Sequence, residues 1–109
     1  MMLLLTGMAV VSRDNFEGWQ RARPLAAKAQ IANFLVALDD YQSDVGAYPT
    51  ESQGLQALRT NPGVRGWNGP YMPQDIPLDP WGMAYRYRLA AGHPQILTGE
   101  GKESAVPTR

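Results

Sequence analysis

The chain has 109 residues, of which 44% are hydrophobic, and it carries ten Lys plus Arg against ten Asp plus Glu. This length supports one domain with a buried core but not two, and the balanced charge creates no global field that would attract nucleic acid. Cysteine is absent and His93 is the only histidine, which excludes thiolate nucleophiles, thiolate zinc sites and a histidine cluster.

The N-terminus is an apolar run of eleven residues, MMLLLTGMAVV. A helix needs about 20 residues to cross a bilayer, and no positive charge precedes the run as it would in a secretory signal. Two interpretations remain: the end of a longer membrane helix that starts upstream of Met1, which we favour, or a core-facing or partner-facing segment of a soluble protein. We expect residues 1–23 to be an apolar stub with a polar flank, and residues 24–109 to be a single domain.

A long amphipathic helix is predicted after the stub, with Pro24 in its first turn and Gly46 at its end. Asp39 and Asp40 are adjacent, so their side chains point about 100° apart and cannot share one substrate atom. They indicate a solvated face rather than an acid-base pair. The predicted core face repeats at intervals of three and four residues: Ile31, Phe34, Leu38, Tyr41 and Val45.

A second, short helix is predicted to follow, ending at about Arg59. Thr50 and Gln53 have the spacing of a capping box, in which each side chain bonds to the backbone N–H of the other residue, and Pro49 sets the entry. Gly54 lowers helix propensity, so we expect it to allow a close backbone approach. The apolar side of this helix is expected to press on the long helix through Leu55 and Leu58.

Residues 63–82 are rich in Gly and Pro but also in large apolar side chains. This combination predicts an ordered, packed loop, with a short strand at Tyr71–Met72. Residues 83–89 alternate in character and predict a strand whose core face carries Met83, Tyr85, Tyr87 and Leu89, with Arg86 and Arg88 on the other face. AAGHP then forms a turn and QILTG a returning strand, so the fold class is α+β with the long helix covering a small antiparallel sheet.

The segment DPWGMAYRYRL, residues 79–89, has two readings. Asp79 could be a catalytic acid or metal ligand, and the tyrosines and arginines could form a stacking platform for nucleic acid. No partners for either chemistry occur elsewhere in the chain. We therefore interpret Asp79 and Pro80 as the turn that starts the strand, with the carboxylate bonding backbone N–H groups and Trp81 packing where the loop meets the sheet.

Three motifs in this order resemble the major pseudopilin of bacterial type II secretion, a pilin-like family: DVGAYPTESQGLQAL (44–58), WNGPYM (67–72) and PLDPWGMAYRYR (77–88). The resemblance covers about residues 27–101, and three ordered motifs are far more specific than one. The positions that carry the structural motif are Gly46, Tyr48, Pro49, Thr50, Gln53, Gly54, Asp79, Pro80, Trp81 and Gly82.

The resemblance implies a pilin-like subunit whose helix spine starts in the inner membrane and carries a small periplasmic head. Such subunits polymerise with themselves, and with other pseudopilins and inner-membrane secretion components, into a short filament that moves folded proteins across the outer membrane. The family's prepilin peptidase signature is missing from the sequence, so the membrane helix is expected to be incomplete here. Candidates for subunit packing are Leu25, Ala29, Ala32, Val36 and Asp44, although the four apolar ones could instead widen the core face.

The family binds calcium through an acidic, aspartate-containing C-terminal loop, and here the corresponding run is LTGEGKESAVPTR. Calcium prefers six to eight oxygen ligands, usually with two or more carboxylates. The aspartates are gone, so a polar tail is the first interpretation and calcium binding the alternative. The alternative would use the Leu97 carbonyl, the Thr98 hydroxyl, Glu100 and Glu103.

Two functions remain open from the sequence. The first is the filament subunit, and the second is a soluble pseudopilin-like module that binds a partner protein or peptide on its sheet edge. No nucleophile-base pair and no phosphate-binding loop is present, so we expect no enzyme.

Overall fold

The computed structural model describes the backbone of residues 2–99 and the side chains of residues 22–99. Its elements are helix α1 (Met2–Val45), a 3₁₀ turn (Leu55–Leu58) and strands β1 (Arg86–Ala90) and β2 (His93–Leu97). The two strands form an antiparallel pair in which Tyr87 lies opposite Ile96. The predicted α+β architecture is confirmed: a long helix, a small sheet and an ordered Gly/Pro-rich loop.

Helix α1 is longer than the sequence pattern predicted. The helix begins at Met2, so Pro24 lies in its interior rather than in its first turn. Pro24 removes one intrahelical hydrogen bond. Residues 12–23 contain no other proline, and each further helical residue adds a hydrogen bond. These added bonds offset the one lost, so the helix continues through Pro24. Within the described part of the chain, no helix combines the length and apolar character needed to cross a membrane. The proposed division at residue 23 falls inside this helix and stays a prediction.

The end of α1 follows the prediction. Gly46 has a φ of 98° and its N–H donates to the Gln42 carbonyl at 2.8 Å. A left-handed glycine after the last helical residue closes a free carbonyl without a Cβ penalty. The chain then leaves the helix through the half-buried Tyr48 and the buried Pro49.

The core lies between one face of α1, the 3₁₀ turn and the inner face of the hairpin. Ile31, Phe34 and Leu38 are fully buried in α1. The ring of Phe34 meets Tyr85 edge-on, with ring centroids 5.1 Å apart. Tyr41 of the same helix is buried as well, and the other chain segments contribute the buried residues Leu55, Ala57, Leu58, Tyr85 and Ile96.

The capping-box hydrogen bonds form, but they close a turn rather than a helix. The Thr50 N–H donates to Gln53 Oε1 at 2.9 Å, and the Gln53 N–H donates to Thr50 Oγ1 at 3.1 Å. Gly54 then adopts φ 69° and ψ −171°, which interrupts the helical path, and only the four-residue 3₁₀ turn follows. A Cβ on Gly54 would come no closer than 3.8 Å to the Glu51 carbonyl. The positive φ, and not a close approach, therefore explains this glycine.

The Gly/Pro-rich loop is ordered, as predicted, but it holds no strand at Tyr71–Met72. The Tyr71 N–H donates to the Leu58 carbonyl at 2.8 Å, which ties the loop to the 3₁₀ turn. Arg59 reinforces this tie by donating to the Met72 carbonyl at 3.0 Å and pairing with Asp75 at 3.4 Å. The backbone groups of Tyr71 and Met72 thus bond to the 3₁₀ turn and the residue that follows it.

The first strand of the hairpin starts later than predicted, and the second strand starts earlier. The Asp79 N–H donates to the Met83 carbonyl and Asp79 Oδ1 accepts from the Met83 N–H, so the main chain of Met83 is already bonded and β1 begins at Arg86. Met83 is 43% exposed and does not belong to the core face. The two turn residues are Ala91 and Gly92, both with positive φ, as a tight two-residue hairpin requires. His93, predicted in the turn, is the first residue of β2.

Candidate subunit interface

An apolar stripe on α1, made of Leu25, Ala29, Ala32 and Val36, is exposed to solvent. Leu25 is 65% exposed and Val36 is 64% exposed, and both alanines are exposed. Successive residues of an α-helix are about 100° apart, which places the stripe roughly opposite the core face of Ile31 and Phe34. The stripe therefore does not widen the core face, which was the alternative left open by the sequence. Its role in subunit packing stays a prediction.

A groove of about 530 Å³ runs beside the stripe, between α1 and residues 71–77. Val36 belongs to both the stripe and the groove, and the rest of the helical wall is formed by Gln30, Asn33 and Ala37. Met72, Pro73 and Pro77 form the opposite wall. Farther along the loop, Leu78 is 57% exposed. Val36 thus joins the stripe to this groove, whereas Leu78 belongs to neither.

Asp44, the fifth predicted interface residue, makes a contact within the chain. Its Oδ2 accepts a hydrogen bond from the Tyr71 hydroxyl at 2.9 Å, and that hydroxyl accepts from the Asn68 N–H at 2.7 Å. Burial raises the pKa of Tyr71; the Asn68 bond lowers it, and the Asp44 carboxylate raises it further. Asp44 therefore links the end of α1 to the loop, and any contact with another subunit stays a prediction.

Asp79 holds the turn before β1, as the sequence predicted. The carboxylate is 3% exposed. Oδ1 accepts from the N–H groups of Trp81 at 3.0 Å and Met83 at 2.9 Å, and Oδ2 accepts from Gly99 at 2.7 Å. The Gly82 N–H closes the turn on the Asp79 carbonyl at 2.8 Å. With these bonds made, Asp79 is a structural brace rather than a free acid.

The pKa of Asp79 reflects this bonding. Burial raises the pKa, but the N–H groups of Gly99, Met83, Trp81 and Gly82 lower it by more, so the net pKa lies below its usual value. Trp81 and Pro80 in the same turn are half-buried. Arg86 and Arg88 are exposed. The sequence placed these two arginines on the face of the strand opposite the core.

Two tyrosines of the hairpin bond to the helical side of the fold. The Tyr85 hydroxyl donates to Gln30 Oε1 on α1, and the Tyr87 hydroxyl donates to the Pro49 carbonyl at 2.8 Å. Burial, followed by the charge of Asp79, raises the pKa of Tyr85 to about 12. The pKa of Tyr87 is raised mainly by burial, and that of Tyr41 is raised by burial as well.

These raised tyrosine pKa values predict alkaline unfolding. A group with a raised pKa in the folded state stabilises the fold fully below its unfolded pKa of about 10 and loses that contribution as the pH rises toward the folded value. We expect stability to be flat from pH 7 to 9 and to fall above about pH 10, with Tyr85 alone contributing about 1.4 kcal/mol per pH unit up to its folded pKa of about 12. Urea unfolding measured across this range tests it, with Tyr85→Phe expected to reduce the slope. An unchanged free energy of unfolding up to pH 11.5 would contradict the prediction.

The calcium candidates lie only partly within the described residues. Leu97 and Thr98 are both buried where β2 ends, whereas Glu100 and Glu103 lie outside the described part of the chain. No group of three or more acidic, histidine or cysteine side chains within the described residues could hold a metal ion. Calcium binding stays a prediction for the tail.

Two structural side chains were missed at the sequence level. The carboxylate of Glu51 accepts the N–H of Leu89 at 2.8 Å, and Trp67 Nε1 donates to the Ala57 carbonyl at 2.7 Å. Trp67 also meets Tyr71 edge-on, with ring centroids 5.5 Å apart. A half-buried indole N–H in a packed loop requires an acceptor, which was the available signal for Trp67. Glu51 gave no local signal, because its partner is 38 residues away.

Comparison with known proteins identifies a consistent set of relatives. A family profile described as type II secretion system (T2SS), protein G, matches residues 15–104. The type II secretion system core protein G of Pseudomonas aeruginosa is 41% identical over 76 residues, covering 66% of this chain and 53% of the relative. That of Vibrio cholerae is 47% identical over 72 residues, covering 62% and 49%. The chain thus spans about half the length of the curated relatives it matches.

A solved structure shares the fold. The major pseudopilin from the type 2 secretion system of enterohaemorrhagic Escherichia coli superposes with a TM-score of 0.66 over 86% of each chain, at 25% sequence identity. This likeness confirms the predicted pilin-like arrangement of a long helix and a small sheet.

Proposed function

The chain belongs to the protein G family of the type II secretion system, and on that premise we propose that it is a structural subunit of the pseudopilus. In this role it polymerises into a short filament that helps to move folded proteins across the outer membrane. The proposal assigns no catalytic step to the chain.

The exposed apolar stripe of α1 is the observation that supports polymerisation. Four apolar residues at spacings of four, three and four lie on the helix face that the core does not use. A helix that is apolar on two opposite faces can bury one in its own head and the other against a neighbour. A contact of this kind produces a filament when it is head-to-tail and its rotation does not close into a ring.

Location and partners form part of the same proposal. The family resemblance favours a helix anchored in the bacterial inner membrane, with residues 24–109 forming a periplasmic head. Other pseudopilins and inner-membrane secretion components are the proposed partners besides the chain itself. Calcium binding by the C-terminal tail is the alternative to a polar tail without a metal.

The other candidate, a soluble module that binds a peptide on its sheet edge, has less support. The Leu89 N–H points away from β2, because Leu89 lies opposite Pro94 and is bonded to the Glu51 carboxylate instead. An added strand would have to displace this carboxylate before it could pair with β1. One N–H group on the outer edge of β1 is thus already hydrogen-bonded within the chain.

Substitutions in the stripe test the filament proposal. We expect Leu25→Glu and Val36→Glu to reduce assembly of the full chain at least about tenfold, because a carboxylate would be buried without a partner at the subunit contact. Both positions are exposed in the single chain, so melting temperatures should stay close to the parent value. Sedimentation and electron microscopy measure the assembly.

The matched control is Leu78→Glu, which makes the same chemical change at a position of similar exposure outside the stripe. It is expected to assemble as the parent does. Equal loss in all three variants would show that the stripe is not specific. A parent chain that stays monomeric at every concentration would contradict the filament and favour the binding module.

A further inference from the structure

The sequence contains a single Asn-Gly pair, Asn68–Gly69, and it lies in the Gly/Pro-rich loop. The backbone nitrogen that follows an asparagine attacks the side-chain amide most readily when it belongs to a glycine, because no Cβ hinders the approach. Asn68 is exposed to water. Within the described part of the chain, neither its carboxamide nor the Gly69 N–H forms a hydrogen bond. Both groups are therefore available to react with each other.

The packing of the loop requires the glycine of this pair. A Cβ at position 69 would lie 2.6 Å from Cζ2 of Trp67 and 2.9 Å from Cδ2 of Tyr71. These two rings are half-buried and meet edge-on, with ring centroids 5.5 Å apart. A side chain that would slow the attack on Asn68 thus has no room here unless one of the rings moves.

The other two asparagines whose side chains the structure describes lack this combination. Asn33 lies within α1, where the next N–H, that of Phe34, is bonded along the helix. Asn61 precedes Pro62, whose nitrogen carries no hydrogen, and its Oδ1 accepts two backbone N–H groups at 2.8 and 2.9 Å. Asn68 differs from both in having an unbonded amide next to an unbonded N–H.

We propose that Asn68 is a site of self-modification, at which the Gly69 nitrogen attacks Cγ of Asn68. The nitrogen gives up its proton and bonds to Cγ, the carboxamide C–N bond breaks, and the proton leaves with the nitrogen as ammonia. The product is a five-membered succinimide ring. One water molecule opens this ring, giving aspartate at the side-chain carbonyl or isoaspartate at the main-chain carbonyl. The inference is independent of the filament function.

The isoaspartate product lengthens the loop at a place where the loop is held on both sides. Its main chain runs through Cβ and Cγ, which adds one carbon to the backbone. On one side of the pair, Trp67 Nε1 donates to the Ala57 carbonyl at 2.7 Å; on the other, the Tyr71 N–H donates to the Leu58 carbonyl at 2.8 Å. A longer backbone between these two anchors strains at least one of the two bonds.

Both products also add a negative charge close to an existing carboxylate. The Asn68 N–H donates to the Tyr71 hydroxyl at 2.7 Å, and that hydroxyl donates to Asp44 Oδ2 at 2.9 Å. Like charges at short range repel each other. We therefore expect the modification to weaken the contacts that tie the loop to the end of α1.

Incubation of the folded full chain, followed by peptide mapping with mass spectrometry, tests the site. The acid form is expected to accumulate at Asn68 at least about tenfold faster than at Asn33 or Asn61 in the same sample, which corresponds to about 1.4 kcal/mol in activation free energy. The rate should increase with pH, because the attacking nitrogen must lose its proton. Equal rates at the three asparagines, or modification of Asn68 only after unfolding in urea, would overturn the proposal.

Asn68→Gln is the matched variant, because it keeps an exposed amide but has to close a larger, less favourable ring. The melting temperature of the incubated parent is expected to fall by about 4–8 °C, the shift produced by the loss of a weak contact in a small domain. That of the incubated variant should not change. An equal fall in both proteins would show damage elsewhere in the chain and overturn the assignment to Asn68. An unchanged melting temperature of the fully modified parent would overturn the predicted weakening of the loop contacts.

Discussion

Replacement of Asp79 by Asn is expected to lower the free energy of unfolding by about 3–5 kcal/mol, because hydrogen bonds to a charged acceptor contribute about 1.5–3 kcal/mol each. The carboxylate accepts three backbone N–H groups through its two oxygens. An amide has one oxygen only, so at least one of these buried donors would face an NH₂ group. Urea unfolding at pH 7, followed by circular dichroism, measures the change.

The pH dependence of the parent protein gives a second measurement of the same brace. The pKa of Asp79 is lowered in the folded state, so its contribution is present above the unfolded pKa of about 4 and is lost as the pH falls through the folded value. The Asn variant has no such group, and the difference between the two proteins should shrink in acid. A constant difference from pH 7 to pH 2 would contradict this account.

Asp75→Asn is the matched control for Asp79→Asn. The Asp75 side chain is 98% exposed and pairs with Arg59 at 3.4 Å. Exposed pairs of this kind contribute about 0–1 kcal/mol. If both variants lose the same stability, burial and backbone bonding of Asp79 do not explain its effect.

Phe34→Ala is expected to cost about 3–5 kcal/mol, the range found when a fully buried Phe is truncated in a core. Phe34 is 0% exposed and its ring contacts Tyr85 edge-on. Its removal leaves a cavity between α1 and Tyr85, where the helix packs against the start of the hairpin. Thermal and urea unfolding of the variant measure the loss.

Val36→Ala, two residues further along the same helix, is the control for Phe34→Ala. Val36 is 64% exposed, and Ala is the better helix former, so stability should change by less than about 0.5 kcal/mol. The pair therefore tests the two faces of α1 against each other. Similar losses in both variants would contradict the assignment of Val36 to a solvent-exposed stripe.

Local patterns predicted much of the fold. The period of three and four along α1 identified Ile31, Phe34 and Leu38 as core, because a helix has a fixed repeat. The Thr50–Gln53 bonds and the end of α1 at Gly46 were also predictable, because in each of these hydrogen bonds donor and acceptor lie within four residues of each other. The start of α1 was not predictable, because the residues around Pro24 do not show whether this proline lies in the first turn of a helix or in its interior.

The sequence by itself determined the family, the helix periodicity, the Asp79 turn and the alternation that exposes Arg86 and Arg88, because each depends on neighbouring residues. The tertiary structure alone decided which of the two apolar faces of α1 is covered. It also decided that Glu51 bonds to Leu89 and Trp67 to Ala57, and that the loop is tied to the 3₁₀ turn. These contacts join residues far apart in the chain, and such residues meet only when α1, the loop and the hairpin pack around one core.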